Sequence, residues 1–463
     1  MAAPLPADAP PEQVSLAEAT RVWAKIGWLG FGGPAGQIAL MHRELVEKRR
    51  WISDERFLHA LSYCMLLPGP EAQQLAIYIG WLMHRLRGGV VAGTLFVLPG
   101  VIVIGALSWL YVAFQQLPAV AALFFGLKAA ILAVVVDAVL RVGRRALKNR
   151  LLIGIAAAAF IAIYLFKVPF PVLILGAALL GMAGRFLAPK SFPAPKSAAT
   201  LAAGSYLIDQ RFARGELDHV RRSWPASLLI ACVCLAVWAA PVVAAIVVFG
   251  RDSVLAQQGI FFSQAALVTF GGAYAVLAYI AQKAVETYGW LHVGEMVDGL
   301  ALAETTPGPL IMVVQYVAFL AAFRHPGGLP PYLAATLGAL LTTWVTFTPC
   351  FLWIFLGAPY VEALRNNRLI HSALSAITAA VVGVILNLSV WFALHTIFHR
   401  VHVAAFGWIQ TEVPEWGSVD AAALLLSSAA AIAMLRYRLG MGWTLLASAA
   451  IGILIATMTS RPA

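Results

Sequence analysis

The stretch LSYCMLLPGPEAQQLAIYIGW, residues 61–81, sets a Pro-Gly-Pro in the middle of an apolar run, and LALAETTPGPLIMVVQYV, residues 300–317, does so again. Proline lacks a backbone N–H and clashes with the preceding turn, while glycine admits conformations that other residues avoid. A helix carrying this tripeptide is therefore broken at it. In lipid the freed backbone groups cost several kcal/mol each unless something satisfies them. Breaks of this kind are expected where they line a cavity and bind a ligand, or where they serve only as packing kinks.

Composition fixes the solvent. The chain has 463 residues, 61% hydrophobic and 11% charged, against roughly 25% charged in soluble proteins. Apolar runs at 90–115, 118–140, 169–188, 226–249, 331–357, 370–395 and 440–458 reach or approach the roughly 20 residues that span a bilayer. The N-terminal MAAPLPADAPPEQVSLAEAT shows no basic region followed by an apolar core, so no cleavable signal peptide is expected. Cys64, Cys232, Cys234 and Cys350 all lie in apolar segments and read as small buried hydrophobes. The net charge of +11 resides mainly in short loops, where it reports orientation rather than nucleic-acid binding.

The two Pro-Gly-Pro segments belong to a longer repeat. Phe31-Gly32-Gly33 recurs as Phe270-Gly271-Gly272, Trp51 as Trp290, Leu61 as Leu300, and Pro68-Gly69-Pro70 as Pro307-Gly308-Pro309, all 239 residues on. Across those 40 ungapped positions 11 are identical, and FVLPGVIVI (96–104) aligns with TFTPCFLWI (346–354) after an insertion. The expected domains are an N-terminal repeat 1–188, a basic linker plus an extra span 189–255, and a C-terminal repeat 256–463.

Lysine and arginine set the expected topology. The loops at 43–50, 84–89, 141–150, 185–222, 365–368 and 436–438 hold 22 of the 32 cations, and the opposite loops hold five. The first group is expected on the cytoplasmic side, together with the N-terminus. With 43–50 and 84–89 on one side, residues 54–83 enter and return, and 16–47 reads likewise. The fold expected is an all-α polytopic membrane protein of two inverted-topology repeats. Each has two Gly/Pro-broken helical hairpins and about four spans, and one extra span joins them.

Half-helices that start after Gly32-Gly33-Pro34 and after Pro68-Gly69-Pro70 point free N–H groups and positive dipole ends inward. Converging starts of this kind make an anion site. Gln73, Gln74, Thr305 and Thr306 add donors beside the breaks, and only one of the adjacent Gln73 and Gln74 can face a given ligand.

The segments GWLGFGGPAGQIALMHRELVEKRRW, LLPGPEAQQLAIYIGW, TFGGAYAVLAYIAQ and ETTPGPLIMVVQYV resemble the chromate ion transporter (CHR) family over essentially the whole chain. The resemblance is closest to its long-chain, two-domain members, bacterial chromate-resistance efflux proteins. It implies chromate export from the cytoplasm through the bacterial inner membrane, with sulfate as a structural look-alike. The motif positions it implies are Phe31, Gly32, Gly33, Pro34, Gly36, Gln37, Pro68, Gly69, Pro70, Gln73 and Gln74, then Phe270, Gly271, Gly272, Pro307, Gly308 and Pro309. Ala273 stands where the first half has Pro34.

Charged residues inside apolar segments are further candidates. Lys25 precedes the first break and either serves the site or snorkels to the surface. Lys128 sits near the centre of 118–140 and either touches the anion path or pairs with Asp137. Glu71 and Glu304 flank the two Pro-Gly-Pro segments, as caps or as proton carriers. His395, His399 and His402 read as one helical face at a membrane interface, and no metal or cofactor is expected. No CxxC, GxSxG, HExxH or nucleotide loop supports an intramembrane enzyme. A passive oxyanion channel or a sulfate transporter shares the same site logic, and either a monomer or a homodimer is compatible.

Overall fold

The structure, a computed structural model, describes residues 14–189, 206–216, 224–270, 273–360, 368–406 and 409–459. The first half contains α1 (Leu16–Leu29), α2 (Gly33–His42) with a π turn over Arg43–Lys48, α3 (Asp54–Cys64), α4 (Glu71–Phe114), α5 (Pro118–Ala146), α6 (Arg150–Phe166) and α7 (Phe170–Leu187). The linker contributes α8 (Leu207–Ala213), and α9 (Trp224–Phe249) follows it. The second half repeats the order with α10 (Val254–Leu267), α11 (Ala273–Gln282) with a π turn over Lys283–Thr287, α12 (Val293–Thr305), α13 (Val313–Arg324), α14 (Pro331–Gly357), α15 (Arg368–Ile397), α16 (Ala421–Leu435) and α17 (Met441–Thr459). Among the described residues, seven of these helices are long and apolar enough to cross a membrane: α4, α5, α7, α9, α14, α15 and α17. The chain is an all-α polytopic membrane protein.

Three serines start helices by accepting an amide hydrogen bond. Ser15 takes Glu18 at 3.2 Å, Ser53 takes Arg56 at 3.4 Å, and Ser253 takes Ala256 at 3.2 Å. The arms α1, α2, α3, α10, α11 and α12 have 10 to 14 residues. At 1.5 Å per residue they reach about 15–21 Å, short of the roughly 30 Å hydrocarbon core. Each first hairpin closes in the same way: Trp51 N–H donates to Leu45 O at 2.8 Å and Trp290 N–H to Ala284 O at 2.7 Å.

The basic segment 84–89 is a tight reversal rather than a loop. His84 (φ −137°, ψ 31°) and Arg85 (φ 55°, ψ −149°) leave helical geometry within α4. A Cβ on Gly93 would lie 2.4 Å from Ile77 Cγ1, and one on Gly88 would lie 2.2 Å from Gly80 O. Residues 77 and 93 would be about 24 Å apart on a straight helix, so the arms on either side of the reversal fold back together.

The halves are interwoven. α5 packs against α16 and α17, whereas α15 packs against α6 and α7. Small residues permit these crossings, because packing rather than hydrophobicity joins helices in lipid. A Cβ on Gly126 would sit 2.0 Å from Ser448 O, on Gly181 2.4 Å from Ser372 O, and on Gly383 2.2 Å from Ala156 O. The extra span α9 lies outside, against α10 and α14, with Ala245 its one buried residue. Two indoles fasten it: Trp238 Nε1 donates to Val345 O at 3.0 Å and Trp344 Nε1 to Val237 O at 2.9 Å. That position exposes Cys232, contrary to the expectation of four buried cysteines; Cys64 and Cys350 are buried.

The histidines do not share a helical face. α15 ends at Ile397, and the chain turns into an antiparallel hairpin of β1 (Val401–Phe406) and β2 (Ile409–Pro414). His395 stays on α15, His399 lies beyond its end, and His402 is on β1. The β-branched alternation of VHV and of TEV favours extended backbone over another helical turn.

Candidate functional site

Three of the four breaks lie within the described residues, and they meet between the halves. Gly32 (φ 85°) and Gly33 (φ 65°) take left-handed backbone, and Gly32 caps α2 ahead of Pro34 in its first turn. Gly69 (φ 121°) and Gly308 (φ 103°) do the same in the two Pro-Gly-Pro segments. Gly69 N–H donates to Thr269 O at 2.8 Å, and Gly308 N–H donates to Gly30 O at 3.1 Å. Position 308 is the repeat of 69 and position 269 the repeat of 30, so one contact is made twice, as a two-fold relation requires. Each glycine also abuts the opposite long helix. A Cβ on Gly69 would lie 3.0 Å from Cys350 Sγ, and one on Gly308 would lie 3.0 Å from Gly100 Cα; positions 100 and 350 are likewise repeats. Gly271 and Gly272 lie outside the described residues.

Side chains sort into those that hold the crossing together and one that is spare. Gln37 Nε2 donates to Gly30 O at 3.2 Å and also to Gly308 O. Gln74 Nε2 donates to Pro68 O at 2.7 Å. Gln73 is 1% exposed, its Oε1 is buried without a partner, and it makes no hydrogen bond among the described residues. Of the adjacent pair, Gln73 is therefore the one whose side chain makes no hydrogen bond among the described residues. Thr305 and Thr306 differ from the expected donors. The Thr305 hydroxyl bonds to Ala301 O and Leu302 O, and that of Thr306 to Ala303 O at 3.1 Å, because hydroxyls near a helix end bond back to the preceding turn. Gly36 packs under the Phe31 carbonyl, with a Cβ position 2.5 Å from that oxygen, and the Phe31 ring is exposed.

Two ionic groups involve α12, the helix that leads into the second Pro-Gly-Pro. Lys128 Nζ lies 3.3 Å from Asp298 Oδ2, which also accepts from Tyr111 Oη at 2.9 Å. Asp298 is buried, and its Oδ1 has no partner. Asp137 is engaged by Arg141 one turn along α5, so the anticipated Lys128–Asp137 pair does not form; the two are half a turn out of phase. Nearer Pro307, buried Glu304 accepts the Tyr274 hydroxyl. Glu71 starts α4 without an ion pair or side-chain hydrogen bond among the described residues.

Lys25 belongs to a third cluster, outside the spans. Its Nζ is 3.1 Å from Glu44 Oε1, and the buried Glu44 also binds Lys48 at 2.9 Å and Arg49. Burial alone would raise the Glu44 carboxyl, but hydrogen bonds from Lys48, Lys25 and Arg49 outweigh it and hold the group at about 2. Asp298, Tyr111, Tyr274 and Arg141 did not emerge from the sequence. The one available cue was an acid, Asp298, inside an apolar stretch that already held Glu304.

Apolar spans, and broken arms that meet between the halves, fit a membrane transporter. The chain belongs to the chromate transporter family, whose model matches residues 17–182 and again residues 256–453. It is 34% identical over 387 residues to the chromate transport protein of Pseudomonas aeruginosa, covering 82% of this chain and 81% of that protein. Identity to the chromate transport protein of Cupriavidus metallidurans is 29% over 376 residues, 80% of this chain and 81% of that protein. Identity to the probable chromate transport protein of Synechococcus elongatus is 28% over 371 residues, 80% and 83% of the respective chains. No solved structure matches the chain.

Proposed function

We propose that the protein exports chromate from the cytoplasm across the bacterial inner membrane, with its N-terminus cytoplasmic and the dianion held at the central crossing. The observation that carries this reading is the reciprocal bonding of Gly69 to Thr269 and of Gly308 to Gly30, with the spare amide of Gln73 beside it. Backbone N–H groups at the starts of α2 and α4, together with that amide, suit a small tetrahedral dianion and need no full countercharge. Sulfate has the same shape and charge and is the expected competitor.

The odd span α9 between the halves supports an inverted arrangement, with one half entering from each side. An inside-negative potential of 100 mV gives about 4.6 kcal/mol for exporting a dianion, more than a thousandfold gradient. Voltage is therefore sufficient as the driving force, and the Tyr274–Glu304 pair is the place where a proton would enter if one is exchanged.

Flux of radiolabelled chromate and sulfate into proteoliposomes at clamped potential, with and without a pH gradient, tests this reading. Voltage-dependent chromate flux that ignores pH is the expected result. Flux that needs the pH gradient assigns the proton to Glu304 or Glu71, and Gln substitution separates them. Absence of flux for both anions rejects the exporter.

A further inference from the structure

We infer that the linker segment 206–216 is a detachable latch on the cytoplasmic end of the first half, replacing a lock that the second half builds from its own residues. In the second half the Glu295 carboxylate accepts the His292 N–H at 2.8 Å and takes the Arg324 guanidinium in two-pronged fashion. Arg324 Nη1 also donates to Trp290 O at 3.1 Å. This ties the entry of α12 to the end of α13.

The repeat positions in the first half are Ser53, Arg56, Trp51 and Arg85. The acid has become Arg56 and the opposing residue is another cation, so this half cannot close the same lock from within. Arg85 is exposed and has no ion pair among the described residues.

The linker supplies each missing partner. Asp209 Oδ2 accepts the Ser53 N–H at 3.1 Å, in the role of Glu295 toward His292, and Asp209 Oδ1 takes Arg56 Nε at 2.8 Å. Trp51 O, the repeat of Trp290 O, accepts the Ile208 N–H at 2.9 Å. Leu207 N–H donates to Arg50 O at 3.1 Å, and Arg211 Nη1 donates to Met83 O at 2.9 Å beside the reversal in α4. The Arg56 guanidinium lies 3.9 Å over the Phe212 ring. Leu207, Ile208 and Asp209 are buried. A seven-residue helix is too short to persist unaided, so α8 owes its shape to this docking and can be lost with it.

In the orientation proposed above, on which this inference rests, the Glu295–Arg324 lock faces outward and the linker latch faces the cytoplasm. One gate is then closed by fixed residues of its own half, and the other by a piece that can leave. Release of α8 frees the ends of both first-half hairpins, the step that opens the crossing inward.

The test uses the full chain carrying Ile208→Cys, read against the parent, in everted and right-side-out vesicles with a membrane-impermeant maleimide. Asp209→Arg is expected to raise labelling in everted vesicles about tenfold, since one partner of a nearly buried pair is removed. The exchange Arg56→Asp with Asp209→Arg is expected to bring labelling part of the way back, since it returns the ion pair but not the acceptor of the Ser53 N–H. Saturating chromate is expected to change the rate in the otherwise unaltered chain, which a static brace would not show. Equal labelling with and without Asp209→Arg, or a chromate-independent rate in a flux-competent chain, overturns the latch. Labelling confined to right-side-out vesicles overturns its cytoplasmic placement. Absent flux with intact release by Asp209→Arg counts against the exporter and leaves the latch standing.

Discussion

Lys128 Nζ lies 3.3 Å from Asp298 Oδ2, joining a first-half span to a second-half hairpin, with side chains 29% and 5% exposed respectively. The two partners are therefore not equivalent. Lys128→Gln leaves a buried carboxylate with Tyr111 as its remaining donor, whereas Asp298→Asn leaves a lysine that is only partly buried. Orphaning the buried member costs about 3 kcal/mol, and losing the other about 1 kcal/mol. Thermal denaturation in detergent should rank Lys128→Gln below Asp298→Asn, with the double variant above Lys128→Gln. Equal losses would contradict this assignment.

Gln73 should matter for transport and little for folding. Gln73→Leu removes the spare amide without touching the bonds of Gln37 or Gln74, so folded yield should stay near that of the parent. Loss of one hydrogen bond to a charged ligand is about 1.5–3 kcal/mol, roughly tenfold or more in chromate flux. Gln74→Leu should show the reverse pattern, since it unfastens the Pro68 carbonyl. A flux assay beside a melting curve separates the two.

Acid should loosen the basic corner at Glu44. Its carboxyl stands at about 2 in the folded chain against an ordinary 4.5. The depressed value means the contribution is complete above pH 4.5 and is lost as pH falls through 4.5 toward 2. Melting temperature should drop across that window in the parent, and the drop should be smaller in Glu44→Gln. An unchanged slope in the variant would show that the corner does not carry the effect.

Gly126 should be intolerant of size. Its Cβ position is 2.0 Å from Ser448 O on α17, backbone that cannot yield without separating the helices. Gly126→Leu should cost about 3 kcal/mol or more, at the upper end of overpacking, and appear as loss of monodisperse protein in size-exclusion chromatography. Gly154, with nothing within 4 Å of its Cβ position, is the matched control.

What the residues disclosed in order along the chain was legible, and what depended on the meeting of distant residues was not. The 239-residue offset between the two Phe-Gly-Gly and Pro-Gly-Pro pairs is a property of the sequence, and the breaks at Gly32-Gly33 and at both Pro-Gly-Pro segments follow from backbone chemistry. Lys128 stood out because a cation inside an apolar run is expensive, but its partner Asp298 is 170 residues away in the other half. Thr305 and Thr306 look like free donors in sequence, and only their helical turn shows where the hydroxyl protons go. The hairpin at 401–414 escaped because two six-residue strands beside long apolar helices leave a weak alternation.

The exchange of packing partners between halves bears on how the chain is made. α5 emerges from the ribosome long before α16 and α17, the helices that cover it, and α6 and α7 wait for α15. Early spans must therefore stay in the bilayer as unpaired intermediates until nearly all 463 residues have been synthesised. A chain stopped after the first half would display unmatched glycine-lined faces, and its natural complement would be a separately made second half. Fusion of the two halves into one polypeptide removes that search and fixes their ratio at one to one.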